Sequence, residues 1–228
     1  IYTLNRGLSI AQCKYIARMD ADDICMSTRL EKQVAYLDSH PEVIICGAQI
    51  EYFGTKSNKY VKLSFPTKDK ILKEMLAFST CFAHPTVMMR KDIIVKNKLQ
   101  YDYDYKNAED YCMWINMISL GKFANLDEAL VKYRISDAQV SQPYNLQTIK
   151  SVMACRRKYL ERYLSEDEIK DLFESPIKVW TVKSIKQKIS NPRVIEACYL
   201  SLERYSLGSL LYYVFSADVF KWGFGAFV

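Results

Sequence analysis

The chain has no pair of cysteines spaced C-x-x-C, and its seven cysteines are scattered over 228 residues. An odd, scattered set argues against a disulfide framework, and the missing C-x-x-C spacing argues against a structural zinc site. Reduced thiols in the core of a cytoplasmic protein explain these residues better. They are Cys13, Cys25, Cys46, Cys81, Cys112, Cys155 and Cys198.

The sequence shows no signal peptide, because it opens on Ile1 and Tyr2 rather than on a charged segment followed by an apolar run. Its aromatic tail, residues 207–228, also lacks a long uncharged stretch. The longest such run, 205–217, is shorter than the about 20 residues that a membrane-spanning helix needs. We therefore expect the tail either to pack on the core or to make peripheral contact with the inner face of the plasma membrane.

No recognised nucleic-acid-binding motif accompanies the net charge of +6, so no nucleic-acid partner is expected. A mildly basic surface suits an anionic membrane face or an anionic nucleotide, and composition does not choose between them. Half of the residues are apolar, which is enough for one sizeable domain with an appendage. Internal repeats and low-complexity tracts are absent from the sequence.

Three carboxylates stand close together near the start of the chain. The segment 15–19, which opens on three apolar residues, predicts a strand, and Asp20, Asp22 and Asp23 follow it directly. Thr28 and Glu31 then have the spacing of a capping box, which predicts a helix start. Acids between a strand and a helix lie at the carboxyl edge of a sheet, where ligands of α/β proteins bind. Mg²⁺ or Mn²⁺ prefers such oxygen ligands, although a solvated acidic turn would have the same sequence.

The segment 15–34, YIARMDADDICMSTRLEKQV, resembles the metal-binding segment of family 2 glycosyltransferases, which are inverting enzymes with the GT-A fold. Further motifs of that family appear in the same order over about residues 5 to 142. They are NRGL at 5–8, HPTVMMR at 84–90, AEDYCMW at 108–114, and YRI at 133–135 with QVS at 139–141.

The resemblance implies an α/β fold with a GT-A-like (Rossmann-like) mixed sheet flanked by helices over residues 1–145. A helical extension is expected over residues 146–228. The family's first strands, with their P-x-[YF]-N turn and base-reading aspartate, have no counterpart in this sequence. The chain is therefore expected to be an N-terminally truncated member that lacks the nucleotide-binding strands.

Hydrophobic spacing predicts the elements around these motifs. A helix that buries Leu30, Val34 and Leu37 should end at His40 and Pro41. The apolar run 43–46 predicts a central strand buried on both faces, extended by residues 49–53, with a hairpin partner at 60–63.

The second half of the chain is predicted in the same way. A helix over residues 109–120 should end at Gly121 as its C′ cap, and two strands, 123–126 and 130–135, should flank Asp127 and Glu128. Helices are predicted from Leu146 to Leu164 and after a capping box at Ser165 and Glu168. Further helices are expected over 177–189 and from 193 to 206.

The resemblance also implies roles for individual residues. Asp22 and Asp20 would hold Mn²⁺ or Mg²⁺, and Asp110 would be the catalytic base. Where many relatives have a histidine that can complete the metal shell, this chain has Ser136. The nucleotide-sugar donor would contact Arg18, Asp20, Asp22 and Arg134, and the acceptor would contact Glu109, His84 and Trp114.

Each assignment has a simpler alternative from the residues alone. Glu109 and Asp110 could only cap a helix, His84 could be satisfied in a turn, and Arg134 could pair with a surface acid. As a whole, the resemblance implies sugar transfer to a glycan or lipid-linked acceptor in bacterial cell-surface polysaccharide biosynthesis. The alternatives are an inactive truncated remnant or interaction module, and a metal-dependent hydrolase or glycosidase using Asp22 and Asp110.

Overall fold

A computed structural model describes residues 1–54, 64–135 and 146–174, without the side chains of 171–174. The chain divides after Cys155 into two compact units. Several predictions lie outside the described residues. They concern the hairpin strand 60–63, Ser136, the segment 139–141, the helices after residue 176 and the tail 207–228.

One sheet of five strands organises the first unit, in the order β1-β4-β3-β5-β2. The strands β3 and β5 are parallel, whereas the other three neighbouring pairs are antiparallel. The predicted mixed sheet is therefore confirmed. The strands are β1 (Tyr15–Ala17), β2 (Ile24–Cys25), β3 (Val43–Phe53), β4 (Met88–Arg90) and β5 (Lys122–Arg134).

The described residues also form seven α-helices, and those of the first unit flank its sheet. Two short 3₁₀ turns accompany them, at His84–Thr86 and Tyr103–Tyr105. The helices are α1 (Tyr2–Ile10), α2 (Arg29–Ser39), α3 (Asp69–Met75), α4 (Lys91–Lys96), α5 (Glu109–Met117), α6 (Leu146–Leu160) and α7 (Glu166–Glu174).

The central strand β3 confirms the prediction made from its apolar run. Residues 43–50 are all buried, as expected for a strand covered on both faces. Its neighbour β5 is one strand of 13 residues, so the prediction of two separate strands is wrong. Ala48 faces Leu126 while Gln49 faces Ala129, so the intervening acids Asp127 and Glu128 form a bulge. The long partner strand continues the pairing past these two polar residues.

The helix α2 buries Leu37 and part of Val34, as predicted, but it does not bury Leu30. Leu30 is 52% exposed, whereas Arg29 and Gln33 are 1% and 0% exposed and Leu37 is fully buried. The predicted capping box is also wrong, because Thr28 has a helical backbone conformation and its side chain makes no capping hydrogen bond. The helix does end at Ser39, with His40 as its C-cap, as predicted.

Hydrogen bonds to backbone carbonyl groups explain why a polar face is buried. Arg29 Nη2 donates to the carbonyl oxygens of Arg18 (2.8 Å) and Val87 (3.3 Å), and its Nε donates to Gln33 Oε1 (3.0 Å). Gln33 Nε2 donates to the carbonyl oxygens of Cys46 (2.9 Å) and Thr86 (2.8 Å). Buried polar groups are tolerated when they are paired in this way. The two side chains tie α2 to the end of β1, to the turn before β4 and to β3.

Two helix-end predictions have opposite outcomes. Gly121 does not adopt the left-handed conformation of a C′ cap, and α5 ends at Met117. Glycine is needed there for space, because a Cβ atom would overlap Cγ2 of Ile44. In the second unit, the capping box is confirmed. The backbone N–H of Ser165 donates to Glu168 Oε2 (2.8 Å), and that of Glu168 donates to Ser165 Oγ (3.4 Å).

Among the residues that the structure describes, no helix combines the length and the apolar character that a membrane crossing requires.

Replacing Gln33 by leucine should destabilise the fold by about 2–3 kcal/mol, because two buried carbonyl oxygens lose their donor. Urea denaturation of the variant measures this loss. Leu30→Glu is the matched control on the same helix. Since Leu30 is exposed, its replacement should change the free energy of unfolding by less than about 0.5 kcal/mol. Equal losses for the two variants would contradict the buried polar face.

Candidate active site

The acidic loop, residues 18–23, begins at Arg18, whose backbone N–H and carbonyl groups are both hydrogen-bonded. Arg18 N–H donates to the carbonyl oxygen of Val87 (3.0 Å), and the carbonyl oxygen of Arg18 accepts from Arg29 (2.8 Å). The loop then turns, with the N–H of Asp23 directed to the carbonyl oxygen of Asp20 (3.4 Å). The strand β2 follows at once and pairs with β5. The sequence did not predict β2, which is only two residues long.

Asp23 and Arg134 fasten the loop to the end of β5. Asp23 Oδ1 accepts from the backbone N–H of Arg134 (2.8 Å), and Arg134 Nε donates to the carbonyl oxygen of Asp22 (2.8 Å). The guanidinium of Arg134 lies over the ring of Phe53, 4.5 Å from its centre. Burial raises the pKa of Asp23, and the bond from Arg134 opposes that rise. The structure thus brings Arg134 to Asp22, both of which were predicted on the donor side.

The carboxylates of the acidic loop differ in their surroundings. Asp20 forms an ion pair with Arg18, 2.6 Å from oxygen to nitrogen, whereas Asp22 is exposed. Within residues 1–54, 64–135 and 146–174, no three His, Cys, Asp or Glu side chains are grouped as a metal site. Mg²⁺ is commonly held by one or two carboxylates, with water and substrate phosphates completing its shell. Asp22 fits that kind of site, and Asp20 would fit it after release from Arg18.

Asp110 lies in the first turn of α5 and is half-buried. Burial raises the pKa of Asp110 to about 6, and the negative charge of Glu109 adds to that rise. A backbone hydrogen bond from Tyr111 and the positive charge of Arg18 oppose it. A carboxylate with such a pKa is ionised at neutral pH yet basic enough to accept a proton from a reacting hydroxyl group.

His84 lies between two aromatic side chains. Its Nε2 is 3.0 Å from the hydroxyl oxygen of Tyr101, and its ring centre is 5.8 Å from that of Trp114. Burial lowers the pKa of His84 well below its usual range, so the imidazole is neutral. Trp114 is 0% exposed, and its Nε1 has no hydrogen-bond partner in the described part of the chain. In this conformation Trp114 has no exposed surface to contact an acceptor, and it packs against His84 instead.

Tyr101, the hydrogen-bond partner of His84, and Asn5, which holds Tyr101, were not among the predicted site residues. Tyr101 is buried, and both of its backbone groups are bound by Asn5: Nδ2 donates to the Tyr101 carbonyl (2.8 Å) and Oδ1 accepts from its N–H (2.8 Å). Asn5 belongs to the NRGL motif, and Tyr101 begins a tyrosine-rich segment, which are the sequence signals that mark them. Together they place the Tyr101 hydroxyl group against His84.

Arg18 connects the two acidic segments electrostatically. Its guanidinium pairs with Asp20. Its positive charge opposes the rise in the pKa of Asp110 and adds to the fall in the pKa of His84. A cavity of about 380 Å³ between α1 and β1 is also bordered by Arg18 and Tyr101.

The sequence is similar to those of known glycosyltransferases. The family model "Glycosyl transferase family 2" matches residues 1–97. The chain is 31% identical to an uncharacterized glycosyltransferase of Haemophilus influenzae, over 94% of the chain and 69% of that protein. It is 34% identical to the O-antigen biosynthesis glycosyltransferase WbnJ of Escherichia coli, over 74% of the chain and 68% of that protein.

The fold of this chain resembles that of a solved structure. Residues 1–349 of S. aureus TarS, crystallised with UDP-GlcNAc, superpose with a TM-score of 0.55 at 13% identity, covering 86% of this chain and 66% of that one. This likeness confirms the predicted GT-A-like fold. The chain spans about two thirds of the length of each of these three proteins.

Replacing Asp110 by asparagine should stabilise the fold at neutral pH. The pKa of Asp110 is raised from 3.8 to about 6 in the folded state, so folding favours its protonated form. The wild-type chain should therefore lose stability relative to Asp110→Asn as the pH rises through 4 to 6, by on the order of 3 kcal/mol at pH 7. Thermal unfolding at pH 4 and pH 7 measures the difference. A stability gap that does not change with pH would contradict the raised pKa.

Proposed function

Because the chain belongs to glycosyl transferase family 2, we propose that it transfers a sugar from a nucleotide-sugar donor to a hydroxyl group of a glycan or lipid-linked acceptor, with inversion. The observation that carries the proposal is Asp110, a half-buried carboxylate with a pKa of about 6 that interacts with Arg18. Arg18 in turn pairs with Asp20 of the acidic loop.

The biological setting is proposed from the relatives. One relative at 34% identity is an O-antigen biosynthesis glycosyltransferase, which supports a role in bacterial cell-surface polysaccharide biosynthesis. Assembly from nucleotide-sugars would place the protein in the cytoplasm or at the inner face of the plasma membrane.

On the acceptor side, Asp110 takes the proton of the attacking hydroxyl group. As that proton moves to the Asp110 carboxylate, the acceptor oxygen bonds to the anomeric carbon and the bond from that carbon to the diphosphate breaks. Attack from the face opposite the leaving group inverts the configuration. Glu109, beside Asp110 in the same helical turn, would orient the acceptor. Neutral His84, fixed by Tyr101, can hydrogen-bond a sugar hydroxyl group without adding charge.

On the donor side, the departing nucleoside diphosphate gains negative charge that must be stabilised. Arg134 and Arg18 supply positive charge beside the acidic loop. Mn²⁺ or Mg²⁺, held by Asp22 and Asp20, would act as a Lewis acid on the diphosphate. A diphosphate would compete with Asp20 for the Arg18 guanidinium, which would leave Asp20 available to the cation.

Asp110→Asn should abolish sugar transfer and leave donor binding nearly unchanged, because the base acts only on the acceptor. Asp22→Ala should instead remove the metal-dependent part of nucleotide binding. Calorimetry with UDP and Mn²⁺ and a transfer assay with radiolabelled UDP-sugars measure the two effects. Equal loss of donor binding in both variants would contradict the separate roles. A wild-type chain that binds no nucleotide would favour an inactive remnant or interaction module.

The rate of transfer should fall as the pH drops below about 6, because the ionised form of Asp110 is lost. Glu109→Gln removes a negative charge that raises this pKa, so the acid limb of the kcat/KM profile should move to lower pH. The midpoint of the limb reports the pKa of Asp110. The plateau value of kcat/KM also includes the effect of Glu109 on acceptor binding. An acid limb that stays in place would show that another group sets it.

A further inference from the structure

The backbone hydrogen bonds between β2 and β5 do not continue regularly into the acidic loop. The two strands are antiparallel, with Ile24 opposite Lys132. The N–H of Met26 donates to the carbonyl oxygen of Leu130, which makes 26 and 130 a hydrogen-bonded pair. Such pairs recur at every second residue of an antiparallel ladder. A regular continuation would therefore pair residue 22 with residue 134, and the N–H of Arg134 would donate to the carbonyl oxygen of Asp22.

The structure has a different arrangement at this position. The N–H of Arg134 donates to the side chain of Asp23 (2.8 Å), which takes the place of the backbone acceptor. The carbonyl oxygen of Asp22 is thereby left for the side chain of the same arginine, whose Nε donates to it (2.8 Å). We call these two bonds the Asp23–Arg134 clasp.

The clasp fixes a guanidinium beside an exposed carboxylate. Arg134 is held on one side by the backbone of Asp22 and on the other by the ring of Phe53, 4.5 Å away. The carboxylate of Asp22 projects from the same residue that accepts the Arg134 bond, and it is exposed. A cation on Asp22 and the charge of Arg134 would then lie next to each other, which suits the two charged groups of a diphosphate.

We propose that Asp23 is a positioning residue, which holds Arg134 and Asp22 in the arrangement that binds the diphosphate of the donor. The inference rests on the proposed function. Asp23 acts through its bond to the Arg134 backbone and does not itself contact the donor. A donor site assembled before binding loses less conformational freedom when the ligand arrives, so its affinity is higher.

Calorimetric titration of the full chain with UDP in the presence of Mn²⁺ tests the proposal. Asp23→Ala should weaken metal-dependent UDP binding about tenfold, as expected when a charge-assisted hydrogen bond is lost. Asp23→Asn retains an oxygen that accepts from the Arg134 N–H, so its affinity should return to within about threefold of wild type. Unchanged binding by Asp23→Ala would overturn the proposal, as would an equal loss in Asp23→Asn.

Asp69→Ala is the matched control. Asp69 Oδ1 accepts from the backbone N–H of Phe123 (2.7 Å), which is the same kind of bond at the opposite end of β5. Its loss should lower the melting temperature without changing the affinity for UDP. If both variants weaken UDP binding to the same extent, the effect of Asp23 is general destabilisation and the proposal fails.

A double-mutant cycle separates positioning from direct binding. Arg134→Ala keeps the backbone N–H and its bond to Asp23 but removes the side chain that the clasp positions. In that background, Asp23→Ala should weaken UDP binding by less than about threefold. A full tenfold loss would mean that Asp23 contacts metal or nucleotide by itself, which overturns the positioning role.

Asp23→Glu covers the case in which the alanine variant does not fold. It keeps the charge but moves the acceptor oxygen by one methylene group, so UDP binding should still weaken, and wild-type affinity would count against the clasp. The same titrations distinguish a failure of the proposed function from a failure of the positioning role of Asp23. A wild-type chain without Mn²⁺-dependent UDP binding refutes both proposals, whereas binding that is indifferent to Asp23 refutes only this one.

Discussion

The buried polar face of α2 is the constraint on which the arrangement of the site depends. Arg29 and Gln33 donate to four carbonyl groups, which lie just after β1, just before β4 and within β3. A guanidinium removed from water is tolerated only when its donors are satisfied, so the helix has little freedom to slide over the sheet. One of those carbonyl groups belongs to Arg18, the first residue of the acidic loop. The loop therefore starts from a position that the core determines.

The charge of Arg18, the first residue of this loop, acts on both acidic segments. Arg18 neutralises Asp20 directly and moderates the pKa of Asp110, which burial alone would raise further. The two acidic segments consequently have different properties. The loop carboxylate Asp22 is open to solvent and suits a hard cation, whereas Asp110 is secluded and suits proton transfer. Sequence motifs place both segments in the chain, but their distinct environments come from the fold.

Local patterns in the sequence predict the elements whose character is set locally. The apolar run of β3, the end of α2 at His40 and the capping box at Ser165 are all found in the structure. The errors concern residues whose partners are remote in sequence. Leu30 is apolar yet exposed, because Arg29 finds carbonyl partners up to 58 residues away. Asp23 binds Arg134, 111 residues away, and no periodicity contains that information.

The parallel pairing of β3 with β5 affects how the chain acquires its structure. Antiparallel neighbours can form through a short hairpin, but β3 must wait for a segment that begins almost 70 residues later. The acidic loop depends on the same late segment, because β2 pairs with β5 in the described part of the chain. During synthesis on the ribosome, the acidic loop therefore remains unassembled until residue 134 has left the exit tunnel. Contacts of such long range also slow folding, so this half of the candidate site is expected to form last.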